Sequence, residues 1–333
     1  MRISTIAFTD GGLELASRIA AALEAEGERV DVARGFGEGK ANHGEWTAER
    51  FGTSDALLFV GALGICVRSI APHLASKATD PAVICIDEGS RFCIPVLSGH
   101  IGGANQLAQR IARFCGATPV VTTATDVRGV FAIDSWAVSQ GLAVANPQAI
   151  KEISSALLAG GSVSYASELP ISGNAPQGLV EAGSPGAASI FIGNQAPEGA
   201  LHLIPRVYVL GIGCRRGTSR EAIEAAAMRF LDENAIDPLS IAFIASIDLK
   251  ANEEGLLAFA AARRLELVTF DSDTLNAQEG DFSSSGFVKG VTGTDNVCAR
   301  AAVAAGGELV IGKTVVDGMT FALSKRSLKL AWQ

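Results

Sequence analysis

Residues 95–105, PVLSGHIGGAN, combine side chains suited to acid–base chemistry with a backbone pattern that favours anions. The pattern predicts the end of a strand, a glycine-rich turn carrying Ser98 and His100, and a helix that begins at Gly102. Backbone N–H groups at a helix N-terminus favour an anion, and a neighbouring histidine titrates near neutral pH. The segment could therefore hold a carboxylate and supply a general base. The alternative is a structural turn in which Ser98 caps the helix and His100 bonds to backbone.

Hydroxyl groups and a carboxylate follow the next predicted strand in residues 122–126, TTATD. In open α/β sheets, ligands bind beyond the carboxyl ends of the strands. Thr122, Thr123 and Asp126 could therefore bind polar groups of a substrate. The same residue types are ordinary helix caps, so both interpretations stay open on the sequence alone.

Two adjacent arginines stand in a glycine-rich loop at residues 211–219, GIGCRRGTS, between a predicted strand and a predicted helix. The glycine spacing differs from that of a dinucleotide-binding turn, and the loop lacks the Gly-Lys-Ser/Thr ending of a P-loop. Arg215 and Arg216 instead suggest recognition of a carboxylate or phosphate by forked guanidinium groups. The alternative is a solvated basic pair on a turn.

Ionisable side chains crowd a strand-to-helix junction at residues 246–255, SIDLKANEEG. Asp248, Lys250 and Glu253 could shift one another's pKa values usefully. The alternative is an ordinary first turn of a helix, where the macrodipole favours acids. A weaker candidate is the stretch GVTGTDNVC, which contains Thr292 and precedes an alanine-rich helix, because its residue types are standard caps.

Strand and helix signals alternate along the chain, which predicts an α/β protein with a mostly parallel sheet. Continuous apolar runs such as residues 56–60, ALLFV, are typical of parallel strands buried on both faces. Residues 35–45 are polar and glycine-rich and predict a loop. We predict two α/β domains with mostly parallel or mixed sheets and a small Gly/Ser-rich middle region. The predicted boundaries are residues 1–140, 141–204 and 205–333.

The composition excludes several classes of function. Lys and Arg total 27 and Asp and Glu total 35, which gives a net charge of −8 and no basic stripe of the kind that binds nucleic acid. The acidic balance argues against an anionic membrane surface, and no apolar run reaches the ~18 residues of a membrane span. The N-terminal residues lack the pattern of a secretory signal. The six cysteines lack CxxC spacing, so we expect no zinc or redox dithiol site and a cytoplasmic, reduced protein.

The motifs occur together in the order LSGHIGGAN, VTTATD, GIGCRR and SIDLK, followed by Glu253. In that order they resemble the cobalt-precorrin 5A hydrolase family of anaerobic cobalamin biosynthesis, across nearly the whole chain. LSGHxGGAN is the most specific element, and GIGCRR marks a C-terminal domain that also resembles a separate protein of the aerobic route. One departure is a Val-x-Glu of many relatives, which reads Val297-Cys298-Ala299 here.

The resemblance implies a substrate and a reaction. The substrate is a cobalt-bearing corrinoid with a δ-lactone on its ring A acetate, and hydrolysis releases acetaldehyde and gives cobalt-precorrin 5B. The cobalt belongs to the substrate, so neither a cofactor nor a metal site in the protein is implied. The expected partner is a small-molecule corrinoid, without nucleic acid or membrane. A homodimer and transient contacts with neighbouring pathway enzymes stay open.

Lactone opening needs a base for water, donors for the oxyanion and cations for the substrate's carboxylates. We expect His100 to be the general base, residues 102–105 to cradle the oxyanion or a carboxylate, and Asp248 or Glu253 to act in the later carbon–carbon cleavage. The residues expected to bind substrate are Arg68, Arg91, Ser98, Gly102, Gly103, Asn105, Thr122, Thr123, Asp126, Gly213, Arg215, Arg216, Lys250 and Thr292. The main rival function is a non-catalytic carrier of corrinoid intermediates, which would share the cations but not need His100. An unrelated nucleotide-binding enzyme is disfavoured by the glycine spacing.

Overall fold

The computed structural model describes residues 1–76, 79–280, 282 and 294–332. The chain divides into two compact units, of which the first contains Met1–Val138 and Ile150–Ser162 and the second Ser139–Ala149 and Val163–Gln333. Each unit combines helices with mostly parallel or mixed sheets, so the predicted α/β class is confirmed. The predicted boundaries at residues 140 and 204 remain a prediction.

The first unit contains a mostly parallel sheet. Its strands are β1 (Arg2–Ala7), β2 (Arg29–Arg34), β3 (Ala56–Val60), β4 (Ala82–Ile86), β5 (Phe92–Leu97) and β6 (Thr118–Pro119). Their order across the sheet is β2-β1-β3-β4-β5-β6. β5 runs antiparallel to β4, and β6 runs parallel to β5. The chain therefore leaves β5 and β6 at the edge of the sheet where β1, β3 and β4 begin.

Helices cover both faces of this sheet. The helices of this unit are α1 (Asp10–Ala25), α2 (His43–Phe51), α3 (Leu63–Ile70), α4 (Ala104–Cys115), α5 (Ala124–Arg128), α6 (Ile133–Ser139) and α7 (Ile150–Leu158), with a 3-10 turn at Ala71–His73. A further 3-10 turn, Pro147–Ala149, belongs to the second unit. On one face Leu107 of α4 packs in a cluster with Leu58. On the other, Trp46 of α2 and Cys66 of α3 pack with Phe59. Because both faces are covered, the strand at residues 56–60 is apolar throughout.

Helix α2 lies partly where residues 35–45 predict a loop. Its N-cap is Asn42, whose Oδ1 accepts hydrogen bonds from the N–H groups of Gly44 at 2.9 Å and Glu45 at 3.4 Å. Trp46 and Phe51 are buried and hold the helix on the sheet. The loop prediction was therefore wrong at its C-terminal end, because an Asn cap and two aromatic anchors outweigh the polar composition.

The second unit begins with a small, mostly parallel sheet formed by the Gly/Ser-rich middle of the chain. Its strands are β7 (Leu142–Val144), β8 (Val163–Ser167), β10 (Leu179–Glu181), β11 (Ile190–Ile192) and β12 (Leu201–Pro205), in the order β10-β8-β11-β12-β7. Only the pairing of β7 with β12 is antiparallel among these described strands. β9 (Ile171–Ser172) pairs separately with β18 (Leu330–Ala331), and a 3-10 turn lies at Pro185–Ala187.

A second, mixed sheet carries the remaining strands of this unit. They are β13 (Tyr208–Gly213), β14 (Ile241–Ile247), β15 (Glu266–Phe270), β16 (Glu308–Val316) and β17 (Met319–Lys325), in the order β15-β14-β13-β17-β16. The helices are α8 (Arg220–Glu233), α9 (Glu254–Ala262), α10 (Ser272–Asn276) and α11 (Val297–Ala304), with 3-10 turns at Pro238–Ser240 and Asp248–Lys250. β13 is parallel to β14 and antiparallel to β17. The ends of β13 and β14 therefore lie at the edge where β17 begins.

Gly211 of β13 lies directly against the backbone of α11. A Cβ atom added there would be 1.9 Å from the carbonyl oxygen of Cys298. We expect Gly211→Ala to lower the free energy of unfolding by about 1–3 kcal/mol or more, because the added methyl group must push the helix off the sheet. Gly312→Ala in β16 is the matched control, since nothing lies within 4 Å of its Cβ. Urea denaturation of both variants tests this packing role, and equal losses would contradict it.

In the part of the chain that the structure describes, no helix combines the length and apolar character needed to span a membrane. Across the same residues, no group of three or more His, Cys, Asp or Glu side chains is arranged to hold a metal ion. The six cysteines are free thiols, and four of them are buried.

Candidate functional site

His100 stands in a tight turn that leaves the end of β5. Ser98 is buried, has a φ of 55°, and donates its hydroxyl hydrogen to the carbonyl oxygen of Asp80 at 3.0 Å. A Cβ on Gly102 would be 2.5 Å from Cβ of Ser98, and one on Gly99 would be 2.7 Å from Oδ1 of Asn105. The glycines of the motif are therefore needed for the turn to close. The Ser98 hydroxyl holds that turn, and its expected substrate contact remains a prediction.

Three backbone N–H groups at the N-terminus of α4 are hydrogen-bonded within the turn that carries His100. The N–H groups of Gly103, Ala104 and Asn105 donate to the carbonyl oxygens of His100 at 2.9 Å, Ser98 at 3.2 Å and Gly99 at 2.9 Å. The turn thus satisfies three donors that a bound anion would need. The cradle expected at residues 102–105 remains a prediction, and these three N–H groups already have acceptors within the turn.

Two carboxylates hold the imidazole of His100 between them. Nδ1 lies 3.1 Å from Oδ2 of Asp134, and Nε2 lies 2.7 Å from Oδ2 of Asp126. Thr125 adds a weaker contact, its Oγ1 lying 3.4 Å from Nε2. The arrangement gives both ring nitrogens a carboxylate acceptor, which favours an imidazolium.

Asp126 is in turn held by Asn105 of α4 and by Thr123, the residue that precedes α5. Asn105, buried in α4, donates from Nδ2 to Oδ2 of Asp126 and to Oγ1 of Thr123, both at 3.1 Å. Thr123 also donates its hydroxyl hydrogen to Oδ2 of Asp126. The structure therefore brings together four predicted site residues, His100, Asn105, Thr123 and Asp126. Thr122 is exposed and stands outside this set of contacts.

The charges of this cluster raise the pKa of His100 and lower the pKa of Asp126. The hydrogen bond to Asp134, with further support from Asp126, raises the pKa of His100 to about 9, although burial opposes the charge. Burial also opposes ionisation of Asp126, but hydrogen bonds from Thr123, His100 and Asn105 lower the pKa of that carboxyl. At neutral pH His100 is therefore protonated and Asp126 is ionised. The role of general base expected for His100 remains a prediction, and it requires that the imidazolium first lose a proton.

Asp134 is the member of the cluster that sequence reasoning missed. It lies in the first turn of α6, where an acidic residue is an ordinary response to the helix dipole. Its Oδ1 accepts the N–H of Ser135 at 3.0 Å, and its side chain is only 9% exposed. Nothing local in the sequence links it to His100, 34 residues earlier. An acid in the first turn of a helix was the available signal in the sequence, and its burial is seen only in the structure.

Of the two arginines of the first unit that are expected to bind substrate, Arg91 lies at the opposite end of β5 from the His100 turn. Arg91 lies in the hairpin between β4 and β5, with its guanidinium 5.4 Å from the ring centre of Phe92. The turn of His100 follows the other end of β5, about 17 Å away at ~3.3 Å per residue. Arg68 is exposed on α3, and its Nη1 lies 3.4 Å from the carbonyl oxygen of Gly64. Substrate contacts for both remain predictions.

In the second unit, the arginine loop leaves the end of β13. Arg215 and Arg216 are exposed. Gly213 has a packing role, because a Cβ there would be 2.4 Å from Oγ1 of Thr320. A cavity of about 280 Å³ lies beside Arg215 and is bordered by Thr218 and Asp317, among others. The contacts that Arg215 and Arg216 are expected to make with a substrate anion remain predictions, and Thr292 lies outside the described residues.

Glu253 anchors the arginine loop of residues 211–219 through a hydrogen bond from the loop backbone. Its Oε1 accepts the N–H of Gly217 at 2.6 Å, and its Oε2 accepts a hydrogen bond from Nζ of Lys250 at 2.7 Å. The hydrogen bond from Lys250 is the main cause that lowers the pKa of Glu253, with the Gly217 N–H adding to it against the effect of burial. Asp248 is exposed at the start of the preceding 3-10 turn. The catalytic roles expected for Asp248 and Glu253 remain predictions.

Removing the Glu253 carboxylate should destabilise the second unit. We expect Glu253→Ala to lower the free energy of unfolding by about 1–3 kcal/mol at pH 7, because the partly buried ammonium of Lys250 and the N–H of Gly217 lose their acceptor. The lowered pKa means that this stability is present above the ordinary glutamate value and is lost as pH falls through the folded value. Urea denaturation at several pH values measures the effect. Glu254→Ala is the control, because Glu254 is exposed. An equal loss of unfolding free energy in that variant would contradict the anchoring role of Glu253.

The family models that match this chain are described as cobalamin synthesis proteins, and two similar proteins are named cobalt-precorrin-5A hydrolase. Residues 45–126 match a family model described as Cobalamin synthesis G N-terminal, and residues 208–324 match one described as Cobalamin synthesis G C-terminus. The chain is 34% identical to a cobalt-precorrin-5A hydrolase of Salmonella typhimurium, covering 96% of this chain and 97% of that protein. It is 33% identical to a protein of the same name from Priestia megaterium, covering 68% and 66%. A solved cobalamin biosynthesis protein G homolog from Sulfolobus solfataricus is 22% identical, covers 98% and 97%, and has a TM-score of 0.45.

Proposed function

The chain belongs to the cobalt-precorrin-5A hydrolase family, and from that membership we propose that it hydrolyses the ring A δ-lactone of cobalt-precorrin 5A. Acetaldehyde leaves, and the product is cobalt-precorrin 5B. The observation that carries this proposal is the 34% identity to the Salmonella typhimurium hydrolase along 96% of the chain. Matches to both family models, in the same order as the motifs, support it.

The groups that the reaction requires are available in the two units. Hydrolysis of a lactone needs a proton acceptor for water and a proton donor for the leaving oxygen, and the cluster around His100 contains three ionisable side chains. A corrinoid with several carboxylates also needs cations, although the chain carries a net charge of −8. Arg215 and Arg216 supply exposed cations on an anchored loop.

A base role for His100 makes a distinct prediction about pH. Because the pKa of His100 is raised to about 9, its imidazole must lose a proton before it can accept one. A reaction that depends on a neutral His100 would therefore accelerate as pH rises toward 9. The pH dependence of acetaldehyde release thus separates this role from the alternative developed below.

We further propose that the reaction needs no cofactor, since the cobalt arrives in the substrate. A cytoplasmic location and the absence of nucleic-acid or membrane partners remain predictions. The same holds for a homodimer and for transient contacts with neighbouring pathway enzymes.

The direct test is incubation of the purified, chelator-treated protein with cobalt-precorrin 5A in the absence of nucleotide. We expect stoichiometric acetaldehyde, trapped as its hydrazone, together with cobalt-precorrin 5B. A protein that binds the corrinoid and changes its absorption but releases no acetaldehyde would instead be a carrier. Release only after metal or nucleotide is restored would refute the cofactor-free proposal.

A further inference from the structure

Asp134, His100 and Asp126 form a chain of side chains that runs from the interior of the first unit to its surface. The exposed fractions of the three side chains are 9%, 16% and 31% in that order. Both nitrogens of the central imidazole are occupied by its neighbours. A water molecule or substrate approaching from solvent would therefore meet the carboxylate of Asp126 first.

The two oxygens of the Asp126 carboxylate differ in their contacts, because the hydrogen bonds that hold the group all end on Oδ2. Oδ2 accepts hydrogen bonds from Nε2 of His100 at 2.7 Å, from Nδ2 of Asn105 at 3.1 Å and from the hydroxyl of Thr123. Within the described residues, Oδ1 has no hydrogen-bond partner. Three donors on one oxygen fix the orientation of the group, and the second oxygen is free to accept a proton.

We propose that Asp126, rather than His100, is the catalytic base of lactone opening, and that His100 and Asp134 are positioning residues behind it. This inference rests on the proposed function. A water molecule on Oδ1 gives one proton to that oxygen as the water oxygen bonds to the lactone carbonyl carbon. The tetrahedral intermediate then breaks its bond to the ring oxygen of the lactone, and the same proton passes from Asp126 to that leaving oxygen. One water is consumed, and the carboxylate is restored.

Charge supports this division of roles. Among the described residues, the ionisable groups in contact with the His100 ring are Asp126 from α5 and Asp134 from α6, and Thr125 adds a neutral contact. The carboxylates keep His100 protonated at neutral pH, whereas Asp126 is ionised there and ready to accept. The paired imidazolium makes Asp126 a weaker base but keeps it aligned, as preorganised catalytic groups require.

The first test is the variant Asp126→Asn, which keeps the size of the side chain and an oxygen acceptor. We expect kcat for acetaldehyde release at pH 7 to fall about 10²–10⁴-fold, with little change in KM. Arg128→Gln, exposed on the same short helix, is the control and should retain full activity. Thermal unfolding shows that the variants are folded, and partial activity of Asp126→Glu would confirm that a carboxylate is needed. An active wild type with an equally active Asp126→Asn variant overturns this inference alone.

The pH profile tests the positioning residues. We expect the wild-type rate to be level across neutral pH and to fall above about pH 9. Neutral His100 has one ring nitrogen without a proton, so it loses its hydrogen bond to one of the two carboxylates. Asp134→Asn should move that alkaline limb to lower pH, since the pKa of His100 loses its largest support. A wild-type rate that climbs toward pH 9 would assign the base to His100. A wild type that releases no acetaldehyde at any pH would overturn the proposed function and this inference with it.

Discussion

Replacing His100 by glutamine is expected to slow acetaldehyde release by about 10²–10⁴-fold at pH 7, because Asp126 loses the group that aligns it and the acid–base contribution of Asp126 is lost with it. Glutamine is similar in length but carries no charge, so Asp126 and Asp134 lose the imidazolium that lies between them. Single-turnover measurements with saturating cobalt-precorrin 5A give the rate, and a binding titration gives the affinity. We expect the affinity to change little, because both nitrogens of His100 face protein carboxylates.

The control for this prediction is His73→Gln, which alters a histidine packed against Phe51. A folded His100→Gln variant with a near-normal rate would remove His100 from the mechanism altogether. The variant Asp126→Asn would then decide whether Asp126 still acts as the base, and attention would pass to Asp248 and Glu253 only if that variant is active as well.

The same substitution should alter how stability depends on pH. A pKa of about 9 in the folded protein, against ~6.5 for a free histidine, means that His100 stabilises the fold fully below pH ~6.5. This contribution, roughly 2–3 kcal/mol, is lost as pH rises through about 9. Urea denaturation at pH 6 and at alkaline pH should show this slope in the wild type, and His100→Gln should lack it. If the stability of the wild type and of His100→Gln changed equally with pH, the ion-paired imidazolium would be contradicted.

The double substitution Arg215→Ala with Arg216→Ala should weaken binding of cobalt-precorrin 5A by about 10–100-fold at low ionic strength. Hydrogen bonds to charged groups contribute about 1.5–3 kcal/mol each when made, and exposed guanidinium groups give the lower part of that range. Salt screens such attraction, so the difference from wild type should shrink at high ionic strength. Titration of the corrinoid absorption at low and high salt measures both effects.

Arg220→Ala is the matched control, because Arg220 begins α8 just beyond the same loop and pairs with Glu221. Its removal should leave the affinity unchanged. If the double variant binds as tightly as wild type at low ionic strength, the paired arginines are a solvated turn. The cations for the substrate's carboxylates must then be sought elsewhere in the chain.

The local pattern of the sequence determined the elements and the position of the motifs within them. The apolar run at residues 56–60 is a buried central strand, and the helix predicted after the arginine loop is α8 (Arg220–Glu233). His100, Asp126, Arg215 and Lys250 all follow strand ends as predicted. These features depend on periodicity, turn residues and caps, which act over a few neighbouring residues.

Contacts between distant residues were decided only by the tertiary structure. The antiparallel direction of β5 sends the His100 turn to the edge opposite Arg91, and strand direction is not encoded in the apolar run itself. The same folding brings Asp134 to His100 and Glu253 to the N–H of Gly217, across 34 and 36 residues of chain. A pKa responds to the charges and burial around a group in space. The protonation of His100, and with it the choice of Asp126 as the base, therefore emerges only once the chain is folded.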